Sequence, residues 1–122
     1  MKVDDFSKEY NAIVEKALLL AEKVHREGFL SLEEMIDLKK YYKRDILEFG
    51  TRLIIDGFDA EIVNKILTNI VNLETDTDKK ILKTIQKEAV LAIQERQSQM
   101  MILLLLNSYV NIGIEEVMKK YD

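Results

Sequence analysis

The sequence predicts an all-α protein, a compact bundle of about five to seven helices that forms one domain over residues 1–122. Proline is absent and glycine occurs only 4 times, whereas average usage would give about six prolines in a chain of this length. Apolar residues recur at alternating spacings of three and four, which is the period of one face of an α-helix. At this length, folding buries roughly two-thirds of the unfolded chain's surface, so a single core is sufficient for stability.

The first helix is predicted from Phe6 to Gly28. Gly28 can take the left-handed conformation that ends a helix. Ser31, followed three residues later by Glu34, is a capping box, so a second helix is expected to begin there. The apolar stripe of the first helix consists of Phe6, Tyr10, Ile13, Val14, Ala17, Leu18, Leu20, Ala21 and Val24.

The second helical segment is expected to run from Ser31 to Gly57. Basic residues interrupt its apolar pattern near Tyr42, where a bend or break is predicted. Asp59 can cap the next helix. The buried face of that helix is predicted to consist of Ile62, Val63, Ile66, Leu67, Ile70 and Val71.

The second half of the chain contains the best loop and the most apolar segment. The polar tract at residues 74–78 is the loop, and Thr77 is expected to cap the helix that follows it. The run from Met100 to Leu106 is apolar on every side, which in a water-soluble bundle predicts a helix surrounded by others. This run, and residues 103–106 above all, is expected to be the buried centre of the fold. A last short helix is predicted over Ile114–Tyr121.

A weak internal repeat relates Arg26–Glu34 to Lys87–Glu95, with two glutamates and a leucine at matching positions. An apolar helix, a turn with an aromatic residue and an amphipathic helix follow both copies. Two related helical units packed together are therefore one interpretation. Chance similarity between amphipathic helices is the other, and the two explain the match equally well.

Composition and charge exclude several kinds of functional site and partner. The chain has no cysteine, which excludes disulfides, thiolate metal sites and cysteine nucleophiles and is compatible with a reducing cytoplasm. The net charge is −4 and basic residues are dispersed among acidic ones, so nucleic acid is not an expected partner. The longest apolar run, Met100 to Leu106, is far shorter than the roughly 20 residues of a membrane span. The N-terminus has no signal-peptide pattern, so a cytoplasmic location is expected.

No residue pattern indicates an enzyme. His25, the only histidine, lies at the edge of the first stripe, where we expect a partly buried side chain or a cation at a helix C-terminus. The acidic residues at 74–78 lack the glycine and the terminal glutamate of a calcium loop. The glycines are isolated, so no phosphate-binding loop is expected. The sequence therefore predicts no catalytic residue, no cofactor and no metal site.

Two strings resemble the cytoplasmic segment that follows the second membrane helix of flagellar stator subunits, the motility protein A family. Arg-Glu-Gly-Phe-Leu-Ser-Leu-Glu at residues 26–33 leads through a linker into Gly-x-x-Leu-x-x-Asp-Gly at residues 50–57 and an amphipathic helix. Residues 87–94 resemble the helix that leaves the fourth membrane span, so the resemblance covers about three-quarters of the chain. The family's membrane helices are missing here, and Asp37-Leu38 replaces the Asn-Pro of its linker.

The resemblance implies a function by protein contact, since charged residues of this segment contact the rotor's torque-generating helix in the family. It implies a non-enzymatic cytoplasmic interaction module that binds a flagellar rotor or stator component and is not itself a proton channel. A solvated helix face is the simpler interpretation of such a charged run taken alone. A helical adaptor or regulator unconnected with motility is the alternative function, and a homo-oligomer is left open. The candidate partner-binding residues are Lys39, Lys40, Lys43, Arg44 and Glu48.

Overall fold

A computed structural model describes residues 3–36 and 45–111, and within these ranges the chain forms helices and no strand. The predicted all-α bundle is confirmed. The bend expected near Tyr42 and the helix expected at Ile114–Tyr121 lie outside the described residues. The described helices are α1 (Val3–Glu27), a 3-10 helix (Phe29–Met35), α2 (Ile46–Ile55), α3 (Ala60–Asn72), α4 (Thr77–Gln94) and α5 (Gln99–Asn107).

The central element is α4, which packs against α1, α2, α3 and α5. Its inward side is apolar and buried, with contributions from Leu82, Ile85, Ala89, Val90, Ala92 and Ile93.

The prediction that the Met100–Leu106 run is the central, fully surrounded helix is wrong, although the burial predicted for Leu103 and Leu106 is confirmed. Helix α5 packs mainly against α1 and α4 and buries Ile102, Leu103 and Leu106. Its opposite side leaves Met101 52% and Leu104 48% exposed.

The apolar stripe predicted for α1 is confirmed. Phe6 and Ile13 are half-buried at its edges and pack against the core. Its other members are fully buried: Tyr10, Val14, Ala17, Leu18, Leu20, Ala21 and Val24.

The capping box predicted at Ser31 is wrong, and no α-helix begins there. The chain leaves α1 at Gly28, whose φ is +85°, and enters the 3-10 helix. The Ser31 hydroxyl donates a hydrogen bond back to the Gly28 carbonyl at 2.6 Å, while the Glu34 carboxylate pairs with Lys23 at 2.8 Å. Ser31 thus bonds to the residue that follows α1 and Glu34 to α1 itself, and the next α-helix begins only at Ile46.

A side-chain cap begins each helix from α2 to α5. The residues Asp45, Asp59, Asp76 and Ser98 each accept a hydrogen bond from the backbone N–H three residues later. The cap predicted at Asp59 is confirmed, but the one predicted at Thr77 is wrong. Asp76 caps α4 instead, because its carboxylate accepts from the Lys79 N–H at 2.9 Å, and an ionised acceptor makes the stronger hydrogen bond.

The α2–α3 and α4–α5 corners share one geometry, in which two backbone hydrogen bonds close the end of the helix. In the first, Gly57 N–H donates to the Ile54 carbonyl at 3.0 Å and Phe58 N–H to the Leu53 carbonyl at 3.2 Å. In the second, Arg96 N–H donates to the Ile93 carbonyl and Gln97 N–H donates to the Ala92 carbonyl, both at 3.0 Å.

The residue that turns the chain has a positive φ at both corners, 89° at Gly57 and 59° at Arg96. The α2–α3 and α4–α5 corners therefore resemble each other in backbone geometry. They are not, however, the segments that the predicted repeat pairs. Of the segments paired there, Arg26–Glu34 ends α1 and forms most of the 3-10 helix, whereas Lys87–Glu95 lies almost entirely within α4.

Candidate functional site

The charged strip predicted to bind a partner, residues 37–48, joins the 3-10 helix to α2. The candidate residues Lys39, Lys40, Lys43 and Arg44 lie outside the described part of the chain. Glu48 is half-buried in the first turn of α2, where its backbone N–H donates to the Asp45 carboxylate at 3.1 Å. The structure thus places the C-terminal end of the strip at a capped helix start.

An open cavity of about 420 Å³ lies beside Asp45. Gln86 of α4 reaches its edge and accepts a hydrogen bond from the Leu47 N–H at 3.1 Å, which ties α4 to the start of α2. Glu9 and Lys16 of α1 also line the cavity. Charges of both signs therefore surround the point where the strip joins α2.

The 3-10 helix that precedes the strip is held to α1 by Lys23. The Lys23 ammonium donates to the Glu27 carboxylate at 2.9 Å and to the Glu34 carboxylate at 2.8 Å. The hydrogen bond to Glu27, followed by the one to Glu34, raises the pKa of Lys23. The same contact with Lys23 lowers the pKa of Glu27. This cluster fixes the element from which the strip departs.

His25 makes a contact between elements and lies at the surface. It lies in the last turn of α1, but its side chain is exposed and not partly buried, and its Nε2 lies 3.0 Å from the Gln97 carbonyl oxygen. Because a carbonyl only accepts, Nε2–H is the donor. Beside it, the Arg96 guanidinium lies 4.7 Å from the centre of the Phe29 ring. These contacts join the end of α1 and the 3-10 helix to the α4–α5 corner.

The acidic loop between α3 and α4 is organised by Glu74. Its carboxylate accepts hydrogen bonds from the N–H groups of Thr75 and Asp76 at 3.0 and 3.1 Å and pairs with Lys83 at 2.9 Å. The hydrogen bond from Lys83, followed by the one from the Asp76 N–H, lowers the pKa of Glu74 to about 2. The described residues contain no group of three or more potential metal-ligating side chains. The carboxylates of Glu74 and Asp76 each accept backbone hydrogen bonds within this loop and the start of α4.

The exposed face of α5, defined by Met101 and Leu104, was not predicted from the sequence. The apolar run does not indicate which side of the helix faces the core, because every position in it could do so. Only the packing against α1 and α4 determines which side is left open. Leu105, at the edge of this face, is half-buried.

The chain matches no protein-family model, no curated protein and no solved structure. Among the described helices, none is long and apolar enough to cross a membrane. The fold therefore defines the class of protein as an all-α helical bundle.

Proposed function

We propose that this chain is a non-enzymatic interaction module, related to the cytoplasmic part of flagellar stator subunits, that contacts a rotor or stator component. The contact would use the strip at residues 37–48, and the module would act in the cytoplasm. The observation that carries the proposal is the order and spacing of the two strings at residues 26–33 and 50–57.

Several residues of these strings occupy positions where the backbone restricts the residue type. This supports the proposed relation to stator subunits. Gly28 and Gly57 turn the chain at positive φ, at 85° and 89°. Gly50 faces α4 so closely that a Cβ would lie 2.5 Å from a Val90 methyl group. Asp59, two residues after the second string, caps α3. A related chain would need the same residue types here for the same backbone reasons.

The strip suits recognition by charge. Its candidate residues carry both signs, and Glu9 and Lys16 add further charges where it meets α2. Exposed ion pairs contribute roughly 0–1 kcal/mol to folding, but charges across an interface steer association and set its salt dependence. A helix with acidic and basic residues, such as the rotor's torque-generating helix, is the complementary partner.

Charge reversal in the strip tests this function. Lys40→Glu with Arg44→Glu should weaken binding to a purified rotor protein that carries the torque-generating helix, by about tenfold at low ionic strength. The loss should shrink as salt is added, because the charges are then screened. Thermal unfolding of the double variant should match that of the wild type.

A matched control carries the same change of charge elsewhere. Lys65→Glu with Lys80→Glu alters exposed positions on α3 and α4 and should leave the affinity unchanged. Equal affinity of wild type and the strip variant at low salt would remove the strip from the contact. An equal loss in both double variants would indicate an effect of net charge and would also contradict a specific site.

A helical adaptor unconnected with motility is the second candidate. The exposed face of α5 favours it, because the stator resemblance assigns no role to Met101 and Leu104. Purified rotor and stator components separate the two functions. If the wild-type chain binds none of them at low salt, the motility assignment fails and the adaptor is favoured.

A further inference from the structure

The corner between α2 and α3 contains a dipeptide with intrinsic chemical reactivity. Asp56 is followed by Gly57, and no other aspartate or asparagine in the sequence precedes a glycine. The backbone nitrogen that follows an aspartate can attack its side-chain carboxyl carbon, and glycine permits this best because it has no side chain to hinder the approach. Asp56 is exposed, so water can reach it. The sequence thus places a reactive dipeptide at an exposed corner of the fold.

The reaction converts aspartate to isoaspartate and needs only water. The Gly57 nitrogen forms a bond to the side-chain carboxyl carbon of Asp56, and the carboxyl OH leaves with the nitrogen's proton as water. A second water molecule then opens the resulting cyclic imide. When it adds at the former backbone carbonyl carbon, the chain is left linked through the side chain and a new α-carboxylate is released. No atom changes its oxidation state.

The folded corner holds the two reacting atoms apart. The ring closes only when the Asp56 side chain eclipses the Gly57 nitrogen about the bond between the α-carbon and the carbonyl carbon. In the structure ψ of Asp56 is −5°, so the Gly57 nitrogen eclipses the backbone nitrogen of Asp56 instead. Ring closure therefore needs a large rotation of this ψ.

Two backbone hydrogen bonds oppose the rotation. Gly57 N–H donates to the Ile54 carbonyl at 3.0 Å, and Phe58 N–H donates to the Leu53 carbonyl at 3.2 Å. Both donors follow Asp56 in the chain and both acceptors precede it, so rotating its ψ breaks the two bonds together. The reaction in the folded protein therefore requires local opening of the corner, and the stability of this corner sets how often that occurs.

The Arg52 guanidinium adds a restraint on the side chain itself. Its Nε donates to the Asp56 carboxylate, at 3.3 Å to Oδ1 and 3.1 Å to Oδ2. Arg52 lies four residues earlier on α2, which is one helical turn. The contact therefore draws the carboxylate towards the preceding turn of the helix.

We propose that Asp56 is a site of isoaspartate formation, and that Arg52 and the hydrogen-bonded end of α2 suppress this reaction in the folded protein. Arg52 is a positioning residue in this scheme, because it acts by holding the Asp56 carboxylate. Isoaspartate adds one carbon to the backbone, so its formation converts a reversible opening of the corner into a lasting change.

Measuring isoaspartate at residue 56 of the full chain tests the proposal. Wild type and two variants are incubated for weeks at neutral pH, both folded and in guanidinium chloride, and peptide mass spectrometry gives the isoaspartate fraction. Arg52→Gln removes the restraint on the side chain. Lys83→Gln is the matched control, because it removes another partly exposed ion pair, with Glu74 of the α3–α4 loop.

In the wild type, isoaspartate should form at least about tenfold faster in guanidinium chloride than in the folded protein, because folding restricts the opening. Folded Arg52→Gln should react about threefold faster than the folded wild type, which is the scale of a surface ion pair. Folded Lys83→Gln should match the wild type. In guanidinium chloride all three chains should react at one rate, because neither restraint then exists.

Three results would overturn the proposal. The first is an equal rate in folded and unfolded wild type, and the second is no acceleration by Arg52→Gln. The third is an equal acceleration by both variants, which would assign the effect to overall stability. Circular dichroism of each variant before incubation confirms that it is folded.

Discussion

Helices α4 and α5 show that the more apolar of two helices is not the more central one. Helix α5 consists of apolar residues except at its ends, yet Met101 and Leu104 are exposed. Helix α4 includes lysines, threonines and glutamines along its length, yet it lies at the centre of the bundle. Both helices bury one-third of their residues, six of 18 in α4 and three of 9 in α5, but the longer α4 packs against four neighbouring helices.

The polar side chains of α4 are compatible with its central place because they reach its neighbours. Gln94 Nε2 donates to the Phe58 carbonyl at 2.8 Å, and Lys87 Nζ donates to the Thr68 hydroxyl at 3.3 Å. Long polar side chains can cover apolar surface with their stems while their polar ends make hydrogen bonds. An amphipathic helix can therefore be central, whereas a uniformly apolar one can still lie at the edge.

The sharpest test compares one residue from each helix. Ile85 in α4 is 0% exposed, so Ile85→Ala should lower the free energy of unfolding by about 2–5 kcal/mol through lost packing and a residual cavity. Leu104→Ala in α5 should cost about 1 kcal/mol or less, because half of that side chain is exposed. Chemical denaturation of both variants measures the difference. Equal losses in the free energy of unfolding would indicate that Leu104 is as deeply buried as Ile85, and would contradict the edge position of this side of α5.

The close contact of α2 with α4 provides the next test. A Cβ at Gly50 would lie 2.5 and 2.8 Å from the two methyl groups of Val90, so Gly50→Ala should destabilise by about 1–3 kcal/mol through overpacking. Val90→Ala in the same chain should recover part of that loss, which a double-mutant cycle measures.

Gly57→Ala is the matched glycine control for this contact. Nothing lies within 4 Å of a Cβ at Gly57, and only its φ of +89° opposes a side chain. Its cost should be about 1 kcal/mol and should not depend on Val90. The steric explanation would be contradicted if Gly50→Ala lowered the stability by the same amount with and without Val90→Ala.

The sequence predicts those features that its periodicity or local chemistry determines. The stripe of α1 is regular because one side of a long helix meets the core, and Asp59 caps α3 because a local hydrogen bond is enough. The capping box at Ser31 failed because Glu34 pairs with Lys23 of the preceding helix, a tertiary contact. The burial of Leu104 was predicted wrongly because a run that is apolar on every side has no phase. Of the candidate site, the described residues include only Glu48.

Caps form the next comparison between the two helices, since Asp76 begins α4 and Ser98 begins α5. Asp76→Ala and Ser98→Ala should each cost about 1 kcal/mol, because each leaves a helix N–H without its side-chain acceptor. Thr77→Ala is the control for α4, since Thr77 is the first helical residue and not the cap, and it should be nearly neutral. A larger cost for Thr77→Ala than for Asp76→Ala would restore the cap predicted from the sequence.

The smallest expected effect depends on pH and concerns α4, because α5 contains no ionisable side chain. The ion pair with Lys83 and the N–H of Asp76 hold the pKa of Glu74 at about 2, below the about 4.3 of an unperturbed glutamate. A carboxyl with a lowered folded-state pKa stabilises the fold above the unfolded value, and this contribution is lost as the pH falls towards about 2. Glu74→Gln should therefore lower the melting temperature at pH 7, and the gap to the wild type should close on acidification.

Glu33→Gln, at an exposed position of the 3-10 helix, is the control and should show no such closure. A gap for Glu74→Gln that stays constant down to about pH 2 would contradict the assigned role of the Lys83 pair.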